Sequence, residues 1–522
     1  MTERRSLAAS PWLARGLAIL AGAGAGLAQP PFGFLPGLLG YALLLALLDR
    51  TSTERPFRSA FLRGWLAGLG YFAPSLWWLA EPFQVNAVEQ GWMAPLAVAI
   101  VTAGMALFWA SAALLFRVVA PRGVLRVLVF AGTFAGLEFV RGHVLSGFPW
   151  DLVGETWPAG SPVSQTAALA GAYGLTWITL ALAAAPAVAG EGWRGRTFVA
   201  ASAGVLVALY AWGAARLAAA PPIDPAAPMI RIVQADVRQE SKYDRRMFSG
   251  IVARYVALTK APAARTPDVV IWPEGAIPDA IEDYLADGTW TKADILGALQ
   301  PGQILIFGGY RYGDATTDPP IVYNSLLALR RDPDGFTRLG LYDKFRLVPF
   351  GEFLPFDKLA GELGIKTFVH VGDGFTAGPR PRPMAFRGLP PFQPLICYEA
   401  LYPGFTREGA AAAHVRPAWI VNISNDAWFG ATSGPLQHLN IASYRAIEEG
   451  LPMVRATPTG VSAMIDAFGR PLKSLPEGAL GVIDLPLPPA LVATPYRTLG
   501  DLPFFGLIVL SAGLSLATRR WR

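Results

Sequence analysis

The sequence predicts two architectures in one chain: a multi-span α-helical membrane domain, then an α/β domain outside the membrane, followed by a last span. Three observations lead there. The chain is 53% hydrophobic and 16% charged, against roughly 45–50% and 25% for ordinary globular proteins. The charge is uneven: residues 1–220 are mostly apolar runs, whereas 229–490 reads as a soluble domain. Lys and Arg concentrate in alternate short loops of the apolar part.

A helix crossing a membrane needs about 20 mainly apolar residues. Such runs cover Trp12–Ala28, Phe34–Leu48, Phe61–Leu79, Trp92–Phe116, Val124–Val140, Thr166–Ala189 and Phe198–Leu217, with another at Pro503–Ala517. The first two are short, and Gln29-Pro30-Pro31 between them suggests a tight hairpin. The expected division is therefore about seven spans in 1–217, a domain over 229–487, and a closing helix over 503–517. Positive loops face the cytoplasm. Arg4 and Arg5, then Arg50, Arg55 and Arg58, then Arg117 and Arg122, then Arg194 and Arg196, and finally Arg519, Arg520 and Arg522 mark one side. Loops Gln29–Gly33 and Glu81–Gly91 have no Lys or Arg, and Arg141 stands alone after the fifth run. Both termini are then cytoplasmic, and Ala218 to about Leu502 lies outside. Glu138, inside the fifth run, is either an intramembrane functional carboxylate or an interfacial partner of Arg141.

From Met229 the pattern changes to short apolar runs rich in β-formers. Met229–Gln234, Val269–Trp272, Ile304–Gly308, Asn324–Leu329, Pro394–Cys397, Trp419–Ile423, Met453–Ala456, Ser462–Asp466 and Gly481–Asp484 read as strands. Met247–Thr259 and Leu436–Glu449 read as helices. Their alternation implies an α/β sandwich. The net charge of +6 comes with no basic stripe interleaved with aromatics, which argues against nucleic acid. There is no Gly-rich phosphate loop, and the four histidines are far apart. No cofactor or metal is predicted.

Cys397 is the only cysteine in the chain, so it forms no internal disulfide. It is either a packed apolar residue or a nucleophile, and a lone buried cysteine is more often the former. Two other segments change that balance. Ile271-Trp272-Pro273-Glu274-Gly275 and Tyr342-Asp343-Lys344-Phe345, running on to Gly351-Glu352, each set a charged group at the end of an apolar run, as Leu395-Ile396-Cys397-Tyr398-Glu399 does for the thiol. A thiol nucleophile needs a base for its proton and a donor for the oxyanion that its attack creates. A carboxylate and an ammonium supply both, so Glu, Lys and Cys form a complete set without histidine.

With these flanks and this order, the segment from about Met229 to Leu487 resembles the nitrilase superfamily of carbon–nitrogen hydrolases. With spans on both sides, the whole chain resembles the apolipoprotein N-acyltransferase family within it. Matching segments include Gly147-Phe148-Pro149-Trp150, Val233-Gln234 with Lys242-Tyr243-Asp244, Tyr323-Asn324-Ser325, Ser424-Asn425-Asp426-Ala427-Trp428-Phe429-Gly430, Pro435-Leu436-Gln437-His438 and Arg445-Ala446-Ile447-Glu448. The resemblance implies an αββα sandwich, with Glu274 as general base, Lys344 as oxyanion stabiliser and Cys397 as nucleophile. It implies the Tyr398 N–H as a second oxyanion donor, and Glu352 and Glu399 as carboxylates that position Lys344. Either of those two is equally readable as a structural ion-pair member. Asn324 reads as a turn-former or hydrogen-bonding neighbour. Tyr243, Phe353, Phe356, Trp428, Phe429 and Trp150 are candidates for substrate contact or a lid, with core packing as the alternative. Tyr243 stands where the resemblance leads one to expect Trp, and Leu451 and Pro458 where it leads one to expect Arg and Asn.

The resemblance further implies acyl transfer from a phospholipid donor, by a thioester on Cys397, to the α-amino group of a diacylated apolipoprotein, at the inner membrane and in contact with the bilayer. A monomer suffices, since one chain carries the full set. The competing readings are a membrane-anchored amidase or nitrilase acting on a small C–N substrate, and a non-enzymatic membrane module.

Overall fold

The computed structural model describes residues 10–313, 317, 321–354 and 374–519. The chain divides into two compact units. One comprises 1–220, 436–448 and 493–522, and the other 221–435 and 449–492.

The first unit is helical. Its main helices are Pro11–Leu27, Leu39–Asp49, Pro56–Leu76, Ala94–Val119, Arg126–Arg141, Ala167–Ala184, Gly192–Ala218 and Leu502–Arg519. Small residues let the first and third come close: a Cβ at Gly22 would sit 1.7 Å from the Ala67 carbonyl oxygen, and one at Gly26 would sit 2.5 Å from that of Tyr71. This spacing of small residues is how apolar helices associate where lipid removes the hydrophobic drive. Among the described residues three helical stretches are long and apolar enough to cross a membrane, Ala87–Val119, Val163–Val188 and Gly192–Ala218, and Leu35–Asp49 and Leu502–Ala517 are shorter apolar helices. The run read at Phe61–Leu79, which already contains Arg63, forms a helix that begins earlier, at Pro56, and so also takes in Arg58. Arg63 is buried and donates to the Leu47 carbonyl. The run Thr166–Ala189 is interrupted: Gly171 has φ 68° within Ala167–Ala184, so the helix kinks there.

Glu138 has the Arg141 partner that the sequence suggested. It is buried against Arg141, one helical turn on. Trp109 Nε1 donates to its Oε1 at 2.9 Å, and Arg141 donates to its Oε2. The remaining guanidinium N–H groups reach the carbonyls of Phe148 and Trp150, at 2.6 and 2.9 Å. Arg445, Glu155 and Glu448 form a second buried cluster of the same unit.

The second unit is an α/β fold with two six-stranded sheets. The strands are β1 Met229–Ala235, β2 Val269–Ile271, β3 Ile304–Tyr312, β4 Val322–Asp332, β5 Gly335–Asp343, β6 Met384–Phe386, β7 Leu389–Ile396, β8 Trp419–Ile423, β9 Met453–Ala456, β10 Ser462–Ile465, β11 Pro471–Leu475 and β12 Leu480–Pro486. Their orders are β12-β1-β2-β3-β4-β5 and β11-β10-β9-β8-β7-β6. The central pairs β1/β2, β2/β3, β7/β8 and β8/β9 are parallel, and the outer pairs antiparallel. Parallel strands are covered on both faces, as in Trp419–Ile423, buried throughout although it carries Asn422.

Side chains alternate across each strand. Ile230, Ile232, Ile271 and Ile306 of the first sheet meet Ile396, Val421, Ile423 and Val454 of the second in one core. Val233, Val270, Leu305 and Phe307 face the other way, onto helices Phe248–Thr259 and Trp290–Ala298. Helix Phe405–Ala413 packs on β7. Strands β5, β6 and β11 go beyond the sequence expectation. β11 is almost wholly exposed and β5 mostly half-buried, so neither carries the apolar run that marks a buried strand.

Candidate active site

Each charged or reactive group closes a strand. Glu274 follows β2 through Trp272-Pro273, Lys344 follows β5 directly, and Cys397 follows β7 directly. Glu274 is admitted by Gly308 of β3, where a Cβ would lie 2.7 Å from the Glu274 Cα. Cys397 has φ 48°, a left-handed conformation that costs a non-glycine residue about 1–3 kcal/mol and gathers at functional turns.

Lys344 Nζ lies 3.3 Å from Glu274 Oε1 and 2.9 Å from Glu352 Oε2. Asn324 Nδ2 donates to both carboxylates, 2.6 Å to Glu274 Oε1 and 2.8 Å to Glu352 Oε1. All four residues are buried. Burial alone would push the Lys344 ammonium toward neutrality, but the two carboxylates override it and hold its pKa well above the ordinary value. The other oxygen of Glu274, Oε2, is buried with no hydrogen-bond partner among the described residues. An unspent buried acceptor is costly, and here it is the atom able to receive a proton.

Cys397 is 9% exposed. Burial pushes its thiol up to about 12; the Glu274 charge adds to the rise, and Lys344 opposes it. The resting group is thus a thiol, and its attack requires a base to take the proton during the reaction.

Glu399 sits elsewhere than beside Lys344. It is fully buried and accepts from the Tyr342 hydroxyl, from the backbone N–H groups of Phe345 and Arg346 at 2.9 and 3.1 Å, and from that of Ile396 at 2.8 Å. It fastens the two residues after Lys344 to the residue before Cys397. Burial raises its carboxyl to about 7. Glu352 is the carboxylate that touches Lys344, and it also accepts from the Val348 N–H at 2.8 Å. Asp343 is no partner of Lys344: it pairs with Arg311 at 2.6 Å and accepts from the Ser325 hydroxyl.

The carbon-nitrogen hydrolase family matches residues 230–495, and the apolipoprotein N-acyltransferase N-terminal domain matches residues 21–185. An apolipoprotein N-acyltransferase of Caulobacter vibrioides is 53% identical over 98% of this chain and 95% of its own. The chain belongs to the apolipoprotein N-acyltransferase family. Further members, from Bradyrhizobium diazoefficiens at 37% and Brucella melitensis at 38% identity, cover 97% and 96% of the chain, and 95% and 96% of their own lengths. An amidase from Nesterenkonia sp. is similar at 16% identity and a TM-score of 0.33, over 51% of this chain and 93% of its own. As a member of a family of enzymes, the chain has catalysis as its setting, and the cluster just described is the candidate centre.

The remaining candidates are distributed. Tyr398 is buried, with its ring 5.4 Å from that of Tyr402. Tyr243 is 47% exposed, and its hydroxyl accepts from Gln239 Nε2 at 3.3 Å. Phe353 is half-buried and accepts from the Phe350 N–H through its backbone. Trp428 and Phe429 are half-buried on the turn Asp426–Phe429. Phe356 lies outside the described residues. Trp150 belongs to the helical unit, buried beside Trp78 and donating to Gln437 Oε1 at 3.0 Å. Neither Lys242 nor Ser424 was anticipated as a site residue. Lys242 lies near the Glu274 turn, 3.2 Å from Asn425 Oδ1, and Ser424, which donates to Asp426 Oδ1 at 2.8 Å, works against the rise in the Cys397 thiol's pKa. Both fall inside segments that matched the family, which was the available signal; nothing in their spacing points to Glu274.

Proposed function

We propose that the chain moves an acyl group from a membrane phospholipid to the α-amino group of the diacylglyceryl-cysteine that begins an apolipoprotein, by ping-pong catalysis through Cys397. The observation that carries this reading is a buried thiol in the electrostatic reach of Glu274 and Lys344, with the ammonium 3.3 Å from a carboxylate that keeps one oxygen without a partner among the described residues. Glu274 takes the thiol proton as sulfur attacks the ester carbonyl. Lys344 and the Tyr398 N–H receive the oxyanion. Glu274 returns the proton to the leaving alkoxide, leaving a thioester. The acceptor amine then attacks that carbonyl, the C–S bond breaks, and Glu274 carries the amine's proton to the departing sulfur. No cofactor enters these steps.

In this reading residues 1–217 and 503–517 span the bacterial cytoplasmic membrane. Both termini are cytoplasmic, and 229–487 faces the outer leaflet. The donor is already in the bilayer there, and the apolar side chains at Phe353, Trp428 and Phe429 keep water from the thioester. A single chain is sufficient.

The test uses full-length protein in detergent with acyl-labelled phospholipid. A hydroxylamine-sensitive label is expected on the wild type and none on Cys397→Ala. Folded wild type without label would overturn the reading. Label that passes only to water, with a lipopeptide amine present, would make the protein a hydrolase.

A further inference from the structure

The site contains a second lysine whose surroundings differ from those of Lys344. Lys242 lies on the short helix Gln239–Tyr243. Its ammonium is enclosed by protein, although the residue as a whole keeps some solvent exposure. Its Nζ donates to Asn425 Oδ1 at 3.2 Å, and Asn425 in turn donates to Gln239 Oε1 at 3.0 Å, so an amide relay fixes it. A Cβ on Gly275, the residue after Glu274, would lie 3.5 Å from that Nζ. Among the described residues no carboxylate pairs with Lys242. The titratable groups that act on it are Glu274 and Cys397.

One lysine is therefore clamped by two carboxylates and stays charged. The other touches a neutral amide beside the same carboxylate and the same thiol, and is free to gain or lose a proton. The reaction has an unassigned need for such a group. A free α-amino group has a pKa of roughly 8, so at neutral pH most acceptor arrives as ammonium and is not a nucleophile. Glu274 is already committed to moving the single proton between nitrogen and sulfur.

We propose that Lys242 is the catalytic base that takes the first proton from the acceptor's α-ammonium, a role specific to the second half-reaction. The proposal rests on the acyl-transfer reading given above. In that step the ammonium gives one proton to neutral Nζ, and the freed amine attacks the thioester carbon. The C–N bond forms, the carbonyl electron pair moves to oxygen, and Glu274 takes the second nitrogen proton. The C–S bond breaks, the thiolate receives that proton from Glu274, and Lys242 releases its own to water. The sum is thioester plus ammonium going to amide, thiol and one proton. Burial brings the Lys242 pKa down to about 8, with Glu274 and Cys397 partly opposing the fall. That matches the acid it must deprotonate, as efficient general bases do.

The test separates the half-reactions in full-length, detergent-solubilised protein. Cys397 is first acylated with labelled phospholipid, excess donor is removed, and a diacylglyceryl-cysteine lipopeptide is added across pH 6–10. Lys242→Arg keeps the charge and the reach to Asn425 but does not act as a base near neutrality. Acylation is expected to stay within about threefold of wild type, showing an intact fold. Transfer at pH 7 is expected to fall by about 100-fold and to recover toward wild type near pH 10, where the acceptor is already neutral. Lys242→Gln should behave in the same way, since the lost function is the base rather than the charge. Unchanged transfer in both variants would overturn the proposal, as would equal losses in both half-reactions. Wild-type acyl-enzyme that transfers to no amine at any pH would instead overturn the acyl-transfer reading, and this proposal with it.

Discussion

Glu138 in the helical unit and Glu274 in the α/β unit are both buried, and both face a cation. Glu138 has its two oxygens spoken for, by Trp109 and by Arg141. Glu274 places Asn324 and Lys344 on one oxygen and leaves the other without a partner. Arg141 also uses its spare N–H groups to tie down a loop, whereas Lys344 is shared between two carboxylates that Asn324 bridges. The difference teaches how to tell a structural charge cluster from a chemical one. Burial and pairing are common to both. What Glu274 has and Glu138 lacks is an oxygen left without a partner among the described residues, the feature on which the proposed role of Glu274 rests.

The comparison breaks or sharpens under substitution. Glu274→Gln removes the proton acceptor and keeps the shape, so acylation of Cys397 by labelled phospholipid should drop by about 10²–10⁴-fold, with little change in melting temperature. Normal acylation would make Glu274 another Glu138. Glu138→Gln leaves Arg141 buried without its counter-charge. It should destabilise the protein by about 3–5 kcal/mol in detergent denaturation, while the rate per folded molecule is unchanged; a large loss of rate without loss of stability would give Glu138 a chemical role. The third effect is smaller and depends on pH. The folded Glu399 carboxyl is raised to about 7 by burial, so across the interval from an ordinary carboxylate value to about 7 the folded state binds more protons than the unfolded. Its contribution is full at low pH and is lost as pH rises through 7, with a slope of at most about 1.4 kcal/mol per pH unit. Glu399→Gln should flatten stability against pH over that interval, and an unaltered slope would remove Glu399 as its source.

The α/β unit was legible where strands are buried on both faces, because an unbroken apolar run such as Val269–Trp272 has few other readings. β5, β6 and β11 were not: β5 is mostly half-buried and mixed in polarity, β6 extends over only three positions, and β11 faces solvent. The start of helix Pro56–Leu76 was missed because Arg58 precedes the apolar run, while Arg63, inside it, has a carbonyl partner. At the site, Glu274, Lys344 and Cys397 could be named because each ends an apolar run. Which carboxylate touches Lys344 could not: Glu352 and Glu399 look alike in sequence, and only the path of the chain after β5 brings one to the ammonium and turns the other toward backbone amides. Lys242 was invisible as a site residue for the same reason. Its neighbour Gly275 lies far along the chain, and no local pattern records the approach.

The left-handed backbone at Cys397 sets folding against chemistry at one residue. Any side chain there meets the same steric penalty, so Ala and Ser replacements inherit it, and only glycine escapes. A Cys397→Ala variant therefore keeps the backbone cost of the turn and loses only the sulfur, so lost acylation in it reports on the thiol rather than on the turn.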